Sequence, residues 1–151
     1  MSAYNAVTPA IARQLADIVG AANVIYAEPE RMQDYAHDET VGAPTVSLPE
    51  VVVKPASAAQ ISAMMRLANQ ERIPVTPRGA GSGLSGGAVP LAGGILLSVE
   101  RMNHILEIDK ANLMVVTEPG VITGELHRAV EAEGLFYPPD PNSLDLCFLG
   151  G

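Results

Sequence analysis

The sequence predicts an α+β fold, and two successive patterns support this prediction. A strand at residues 51–53, a helix from residue 57 and a strand at residues 73–76 form a β-α-β unit, whose crossover makes the two strands parallel. Alternating apolar runs at residues 105–109 and 113–118 follow, and the short link between them is typical of an antiparallel hairpin. Because parallel and antiparallel parts succeed one another, the pattern favours α+β over a doubly wound sheet.

The chain opens with a helix that has clear start and stop signals. Thr8 is suited to the N-cap, Pro9 to the first helical position and Gly20 to the end of the helix. Residues 27–50 contain three prolines and no clean period, so they predict an irregular connection. We therefore expect residues 1–50 to be a helix with an irregular lead-in.

The remaining residues, 51–151, are expected to form the functional domain. Ser57 and Gln60 have the spacing of a capping box, which predicts the start of the crossover helix. After the hairpin, Thr123 is predicted to cap a last helix that Gly134 terminates.

A glycine-rich run at residues 77–88 carries the strongest functional signal. Gly81, Gly83 and Gly86 match the spacing of a dinucleotide fingerprint, but that motif must open a helix, and Pro90 with further glycines leaves no room for one. The run also lacks the Gly-Lys-Ser/Thr ending of a Walker A loop. What remains is a strand, a glycine loop and a strand that together hold a phosphate.

Composition limits the class of partner and the compartment. Nine basic and seventeen acidic residues give a net charge of −8, which argues against nucleic acid as a partner. The single cysteine, Cys147, forms no internal disulfide, and the N-terminus lacks the pattern of a signal peptide, so we expect a cytoplasmic protein. No run approaches the roughly 18 apolar residues of a membrane span, so any membrane association would need a partner.

Three motifs resemble one known family in order and spacing. They are the runs at residues 77–88, 118–121 and 134–143, and from about residue 51 onward the chain is similar to the FAD-linked oxidases of the vanillyl-alcohol-oxidase type. Within that family it resembles the branch of the glycolate oxidase FAD subunit and the D-lactate dehydrogenases. The resemblance implies a PCMH-type FAD-binding domain, in which a small β-α-β subdomain precedes an antiparallel one and FAD lies between them.

The resemblance also implies which residues contact FAD. The glycine loop would hold the pyrophosphate, although its backbone amides could do so without the arginine side chain, and the proline-rich motif would line the flavin side. The implied cofactor-binding residues are Arg78, Gly79, Ala80, Gly81, Ser82, Gly83, Ser85, Gly86, Pro139, Asp140, Ser143, Gly150 and Gly151.

Two departures from the family pattern qualify these implications. Flavinylated relatives have a histidine where this loop has Ser82, so we expect FAD to be bound without a covalent link. The sequence ends at Gly151, where family members continue, so we expect it to be an N-terminal fragment that is inactive and binds FAD weakly on its own. We therefore assign no catalytic residue.

The family activity would be oxidation of a 2-hydroxy acid, of glycolate or D-lactate type, with a hydride equivalent passing to FAD. A partner electron-transfer subunit is a candidate acceptor, because the chain has no iron–sulfur spacing of cysteines. The alternative is a noncatalytic FAD- or nucleotide-binding module or subunit.

Overall fold

The structure is a computed structural model that describes residues 4–41 and 47–150. This part of the chain contains four helices and six strands, with single 3-10 turns at Ala21–Asn23 and Gln33–Tyr35. The elements are α1 (Pro9–Val19), β1 (Val24–Tyr26), α2 (Pro29–Met32), β2 (Val51–Val53), α3 (Ala58–Glu71), β3 (Val75–Arg78), β4 (Ile95–Ser98), β5 (Ile105–Asp109), β6 (Met114–Thr117) and α4 (Thr123–Ala132). None of the helices in the described ranges is long and apolar enough to cross a membrane.

The predicted start signals of α1 and α3 are confirmed. The hydroxyl of Thr8 accepts a hydrogen bond from the amide of Ile11, and Pro9 is the first residue of α1. The hydroxyl of Ser57 accepts from the amide of Gln60, whose side chain in turn accepts from the preceding segment.

The first sheet has the order β1-β2-β4-β3, in which β2 and β3 are both parallel to β4. The predicted β-α-β unit is present, but β4 lies between its two strands. Strand β1 pairs antiparallel with β2. The sequence predicted only a helix and an irregular segment in residues 1–50, so this strand was missed. Strand β3 begins at Val75 rather than at residue 73, because the amide of Ile73 donates to the carbonyl of Ala68 and so closes α3.

The core lies on both faces of this sheet because side chains alternate along each strand. On one face Val51, Val53 and Ile95 pack against α1 and α3, where Leu15 and Met64 are fully buried. The other face is smaller, and there the alternate residues of β2 and β4 contact α2. The two faces fix the central strands and thereby the loops at their ends.

The second sheet is the predicted hairpin, β5 with β6, and α4 packs against it through Leu126 and Val130. The predicted cap of α4 is wrong: the N-cap is Ile122, and Thr123 is the first helical residue. The amide and hydroxyl of Thr123 instead contact the carbonyl of Cys147, at 3.0 and 3.3 Å. The carbonyl of Cys147, distant in sequence, thus takes the hydroxyl that would otherwise cap the helix.

The last described residues, 147–150, pack against the segment that leads from β6 into α4. The amide of Leu149 donates to the carbonyl of Val121, and the amide of Gly150 donates to that of Pro119, both at 2.9 Å. A bridge between Phe148 and Ile122 adds to this contact. These bonds hold residues 147–150 opposite the glycine-rich run.

Candidate functional site: a glycine loop at the carboxyl edge of the sheet

The glycine loop connects the end of β3 at Arg78 to the start of β4 at Ile95. Strands β2, β3 and β4 are parallel, so the loop leaves from the edge formed by their carboxyl ends. Ligands of open sheets bind outside this edge, where loops diverge and leave a crevice. The position of the loop therefore agrees with a role in ligand binding.

The backbone amides of the loop are available to a ligand. Within the described parts of the chain, no amide of residues 79–85 donates a hydrogen bond to a protein acceptor. Backbone N–H groups need an acceptor from protein, water or ligand. A run of adjacent free N–H groups in a glycine-rich turn is a typical anion site.

Residues 79–85 line a cleft of about 410 Å³, which is within the usual range for small-molecule sites. One wall is formed by the loop at residues 77–85, and the opposite wall by Cys147, Phe148 and Gly150. The sequence did not single out Cys147 or Phe148 as site residues. Only the backbone contacts of residues 147–150 with 119–123 bring them there, and no local pattern signals such contacts.

Arg78 lies behind the loop. Its side chain is 7% exposed, and its guanidinium donates to the backbone carbonyls of His37 at 2.5 Å and Asp34 at 3.0 Å. The guanidinium also stands over the ring of Tyr35, 5.8 Å from its centroid. Gly81, at φ +76°, lies directly against this group. Although Arg78 lines the cleft, its hydrogen bonds are directed into the protein.

Asp38 is the acidic residue of the cleft wall. Its Oδ1 accepts from the amide of Thr40 at 3.0 Å, while Oδ2 is buried without a partner at hydrogen-bond distance in the described residues. Bonding with Thr40 lowers the pKa of Asp38, with further contributions from the amide of Gly86 and the charge of Arg78 that together outweigh its burial. Asp38 is therefore an anion at neutral pH.

The other predicted site residues divide into two groups. Gly150 lines the cleft with the loop, whereas Pro139, Asp140 and Ser143 do not. Pro139 and Asp140 are exposed, and the carbonyl of Pro139 is 2.7 Å from Nε2 of His127. Ser143 is half-buried, and its carbonyl accepts from the amides of the turn that follows. Gly151 lies outside the described residues.

A polar cluster next to the loop occupies the same edge of the sheet. The carboxylate of Glu100 contacts Nζ of Lys54 at 2.6 Å and accepts from the hydroxyls of Ser98 at 2.9 Å and Tyr35 at 3.1 Å. Nζ of Lys54 also lies 5.2 Å from the centroid of the Tyr35 ring. Because Tyr35 stacks on Arg78 as well, the cluster connects β2 and β4 to the base of the loop.

We expect Glu100 to contribute stability that is lost in acid. Burial raises its pKa, but the bonds from Lys54 and Ser98 outweigh that effect and leave the pKa below its ordinary 4.5. A carboxylate with a depressed folded-state pKa stabilises the fold above the unfolded pKa, and the contribution disappears as pH falls through the folded value. With a third of the side chain exposed, solvent screening limits this contribution to about 1 kcal/mol.

The measurement is the free energy of unfolding between pH 7 and pH 3. Glu100→Gln should be less stable at pH 7 and should lose less stability than the unmodified protein on acidification. The matched control is Glu107→Gln, at an exposed position, which should leave the pH profile unchanged. Parallel profiles for Glu100→Gln and the unmodified protein would contradict the prediction.

The strand, glycine loop and strand at the carboxyl edge, together with a cleft of this volume, define a nucleotide-binding domain of the α+β class. Comparison with known proteins makes the class more specific. A family model described as an FAD binding domain matches residues 49–151. This chain belongs to that family, and its cofactor is FAD.

Two curated relatives and one solved structure agree with this assignment. The chain is 39% identical to the glycolate oxidase subunit GlcD of Bacillus subtilis over 96% of its own length, and 40% identical to a D-lactate dehydrogenase of Anaerostipes hadrus over 91%. It spans 30% and 28% of the length of these relatives. A p-cresol methylhydroxylase structure superposes on 82% of the chain, and the chain covers 24% of that structure, with a TM-score of 0.72 and 22% identity.

These comparisons confirm the predicted α+β, PCMH-type FAD-binding fold and the resemblance to the glycolate oxidase and D-lactate dehydrogenase branch. The matched region starts at residue 49, and the domain bounds given above remain a prediction.

Proposed function

We propose that this chain binds FAD noncovalently through its glycine loop, as the cofactor-binding part of a flavin-dependent oxidoreductase. The observation that carries the proposal is that residues 79–85 line the cleft and that their amides have no protein acceptor among the described residues. The family assignment supplies the ligand that would occupy them. When bound, FAD would supply the redox chemistry, and the chain's own residues would hold and orient it.

Binding would rest on backbone dipoles rather than on side-chain charge. The protein has a net charge of −8, and the guanidinium of Arg78 already donates to two carbonyls, so the amides of residues 79–85 are the main donors for phosphate oxygens. The hydroxyls of Ser82 and Ser85, which line the cleft, can add further donors. Pro139, Asp140 and Ser143 remain proposed contacts of the flavin side.

The proposed substrate is a small 2-hydroxy acid of glycolate or D-lactate type. The names of two relatives, a glycolate oxidase subunit and a D-lactate dehydrogenase, support this class. The first relative is a subunit of a glycolate oxidase, which supports a partner chain that receives electrons. We assign no catalytic residue to this chain, and a cytoplasmic location, with membrane association only through a partner, is part of the same proposal.

The first test is whether a flavin copurifies and is released by heat. The full polypeptide that carries this sequence should show flavin absorption, and denaturation should leave FAD in the supernatant, because the hydroxyl of Ser82 cannot form a histidyl link to the flavin. Flavin retained on the precipitated chain would overturn noncovalent binding. A colourless protein that also takes up no added FAD would overturn the proposed function.

The second test concerns the substrate. Under anaerobic conditions, glycolate or D-lactate should bleach the flavin absorption of the holoprotein, whereas acetate, which lacks the hydroxyl, should not. A flavoprotein that binds FAD but is bleached by neither acid would favour the noncatalytic module over the dehydrogenase.

A further inference from the structure

The family match begins at residue 49, yet the glycine loop rests on a segment that precedes it. We call residues 34–40 the brace segment. It begins within the 3-10 turn Gln33–Tyr35 that follows α2, and its Asp38 forms part of the cleft wall. A flexible glycine run needs external contacts to keep one conformation.

The brace segment contacts the loop at both ends. In its first half, the carbonyls of Asp34 and His37 accept hydrogen bonds from the guanidinium of Arg78. This guanidinium lies against Gly81 of the loop. Further along, the amide of Glu39 donates to the carbonyl of Gly83 at 2.9 Å. The second of these bonds uses the carbonyl side of the loop backbone, so the loop's amide groups remain free for a ligand.

Asp38 lies between His37 and Glu39 in the sequence, and so between the residues that bond Arg78 and Gly83. A Cβ added to Gly83 would lie 3.9 Å from Oδ2 of Asp38, which places the carboxylate close to the loop. The amide of Gly86 lies close enough to lower the pKa of this carboxylate. Oδ2 itself is buried and has no partner at hydrogen-bond distance among the described residues.

The chemistry of the group decides its role. A carboxylate only accepts hydrogen bonds, and it repels phosphate at short range, so Asp38 is unsuited to direct contact with a pyrophosphate. Its Oδ1 accepts from the amide of Thr40 at 3.0 Å, directly beside the Glu39 amide that donates to the carbonyl of Gly83, and charge-assisted bonds of this kind are stronger than neutral ones. The nearby Arg78 guanidinium offsets its charge.

We propose that Asp38 is a positioning residue for FAD, which holds the Gly83–Gly86 half of the loop in the conformation whose amides bind the pyrophosphate. The inference rests on the proposed function, because it concerns the same loop. It extends the functional unit to residues that lie before the matched family region.

The test compares Asp38→Ala, Asp38→Asn and the control Asp17→Asn, at an exposed position on α1, in the full polypeptide. FAD affinity is measured by titration of the apoprotein, and folding of each variant by circular dichroism. We expect Asp38→Ala to raise the Kd about tenfold or more, since the bond from the amide of Thr40 to a charged group is lost. Asp38→Asn should lose less, because its amide oxygen can still accept from Thr40, and Asp17→Asn should match the unmodified protein.

A spectroscopic measurement separates positioning from general destabilisation. At saturating FAD, the phosphorus-31 NMR resonances of the bound pyrophosphate should shift in Asp38→Ala, while the visible flavin spectrum should stay unchanged. An unchanged Kd, or a raised Kd with unchanged phosphorus resonances, would overturn the inference. Failure of the unmodified protein to bind FAD would instead overturn the proposed function. Should Asp38→Ala not fold, the same criteria apply to Asp38→Asn.

Discussion

Replacing Gly81 with alanine should weaken FAD binding by about a hundredfold, which corresponds to about 3 kcal/mol. Gly81 has φ +76°, where a residue with a Cβ is strained by about 1–2 kcal/mol. In addition, the new methyl group would overlap Cζ and Nη2 of Arg78. The guanidinium could withdraw only by breaking its bonds to the carbonyls of Asp34 and His37, so the start of the loop must move instead.

The matched control is Gly86→Ala in the same loop. Gly86 has φ +74°, but a Cβ there would have no atom within 4 Å. Its cost is therefore backbone strain alone, and we expect a loss of affinity of about tenfold. Titration of the apoproteins with FAD gives both values. Equal losses in the two variants would show that contact with Arg78 has no part in shaping the loop.

Replacing Gly94 with alanine should destabilise the fold by about 3 kcal/mol or more. Gly94 has φ +69° immediately before β4, and a Cβ would overlap the carbonyl oxygen of Pro74 and lie 2.6 Å from its Cγ. That oxygen also accepts the amide of Ile95, while the carbonyl of Gly94 accepts the amides of Glu50 and Val51. The clash therefore falls where β2, β3 and β4 meet, and backbone cannot withdraw as a side chain can.

Gly134→Ala is the control that separates the clash with Pro74 from the strain of a positive φ in the loss of stability caused by Gly94→Ala. Gly134 follows α4 at φ +76°, with no atom within 4 Å of an added Cβ, so the expected loss is about 1 kcal/mol. Chemical denaturation of both variants measures the difference. If Gly94→Ala costs no more than Gly134→Ala, the close approach to Pro74 does not constrain the sheet.

The local signals in the sequence predicted most of the elements. Thr8 and Ser57 cap their helices through bonds to residues three positions ahead, so the pattern that encodes each bond is contained in one turn. The hairpin is likewise a contact between neighbours. Strand β1 was missed because three residues carry little periodicity, and its partner β2 lies far along the chain.

The part of the site that depends on neighbouring residues was also predicted from the sequence. Conformational freedom of the glycine run is a property of those residues, so a loop suited to bind phosphate could be proposed from them. Asp38 was not predicted as a site residue, because its proposed role depends on its closeness to Gly83 and Gly86, more than forty positions away. The direction of the Arg78 guanidinium depends in the same way on two distant carbonyls.

By itself the sequence determined the α+β class, the glycine loop between two strands, and the family resemblance that names FAD, since all three are encoded in neighbouring residues or ordered motifs. Only the tertiary structure decided that β4 separates β2 from β3, that Cys147 and Phe148 face the loop, and that Arg78 is bonded from behind. The physical reason is that a buried donor takes whichever acceptor the fold places nearest, and that acceptor has no fixed distance along the chain.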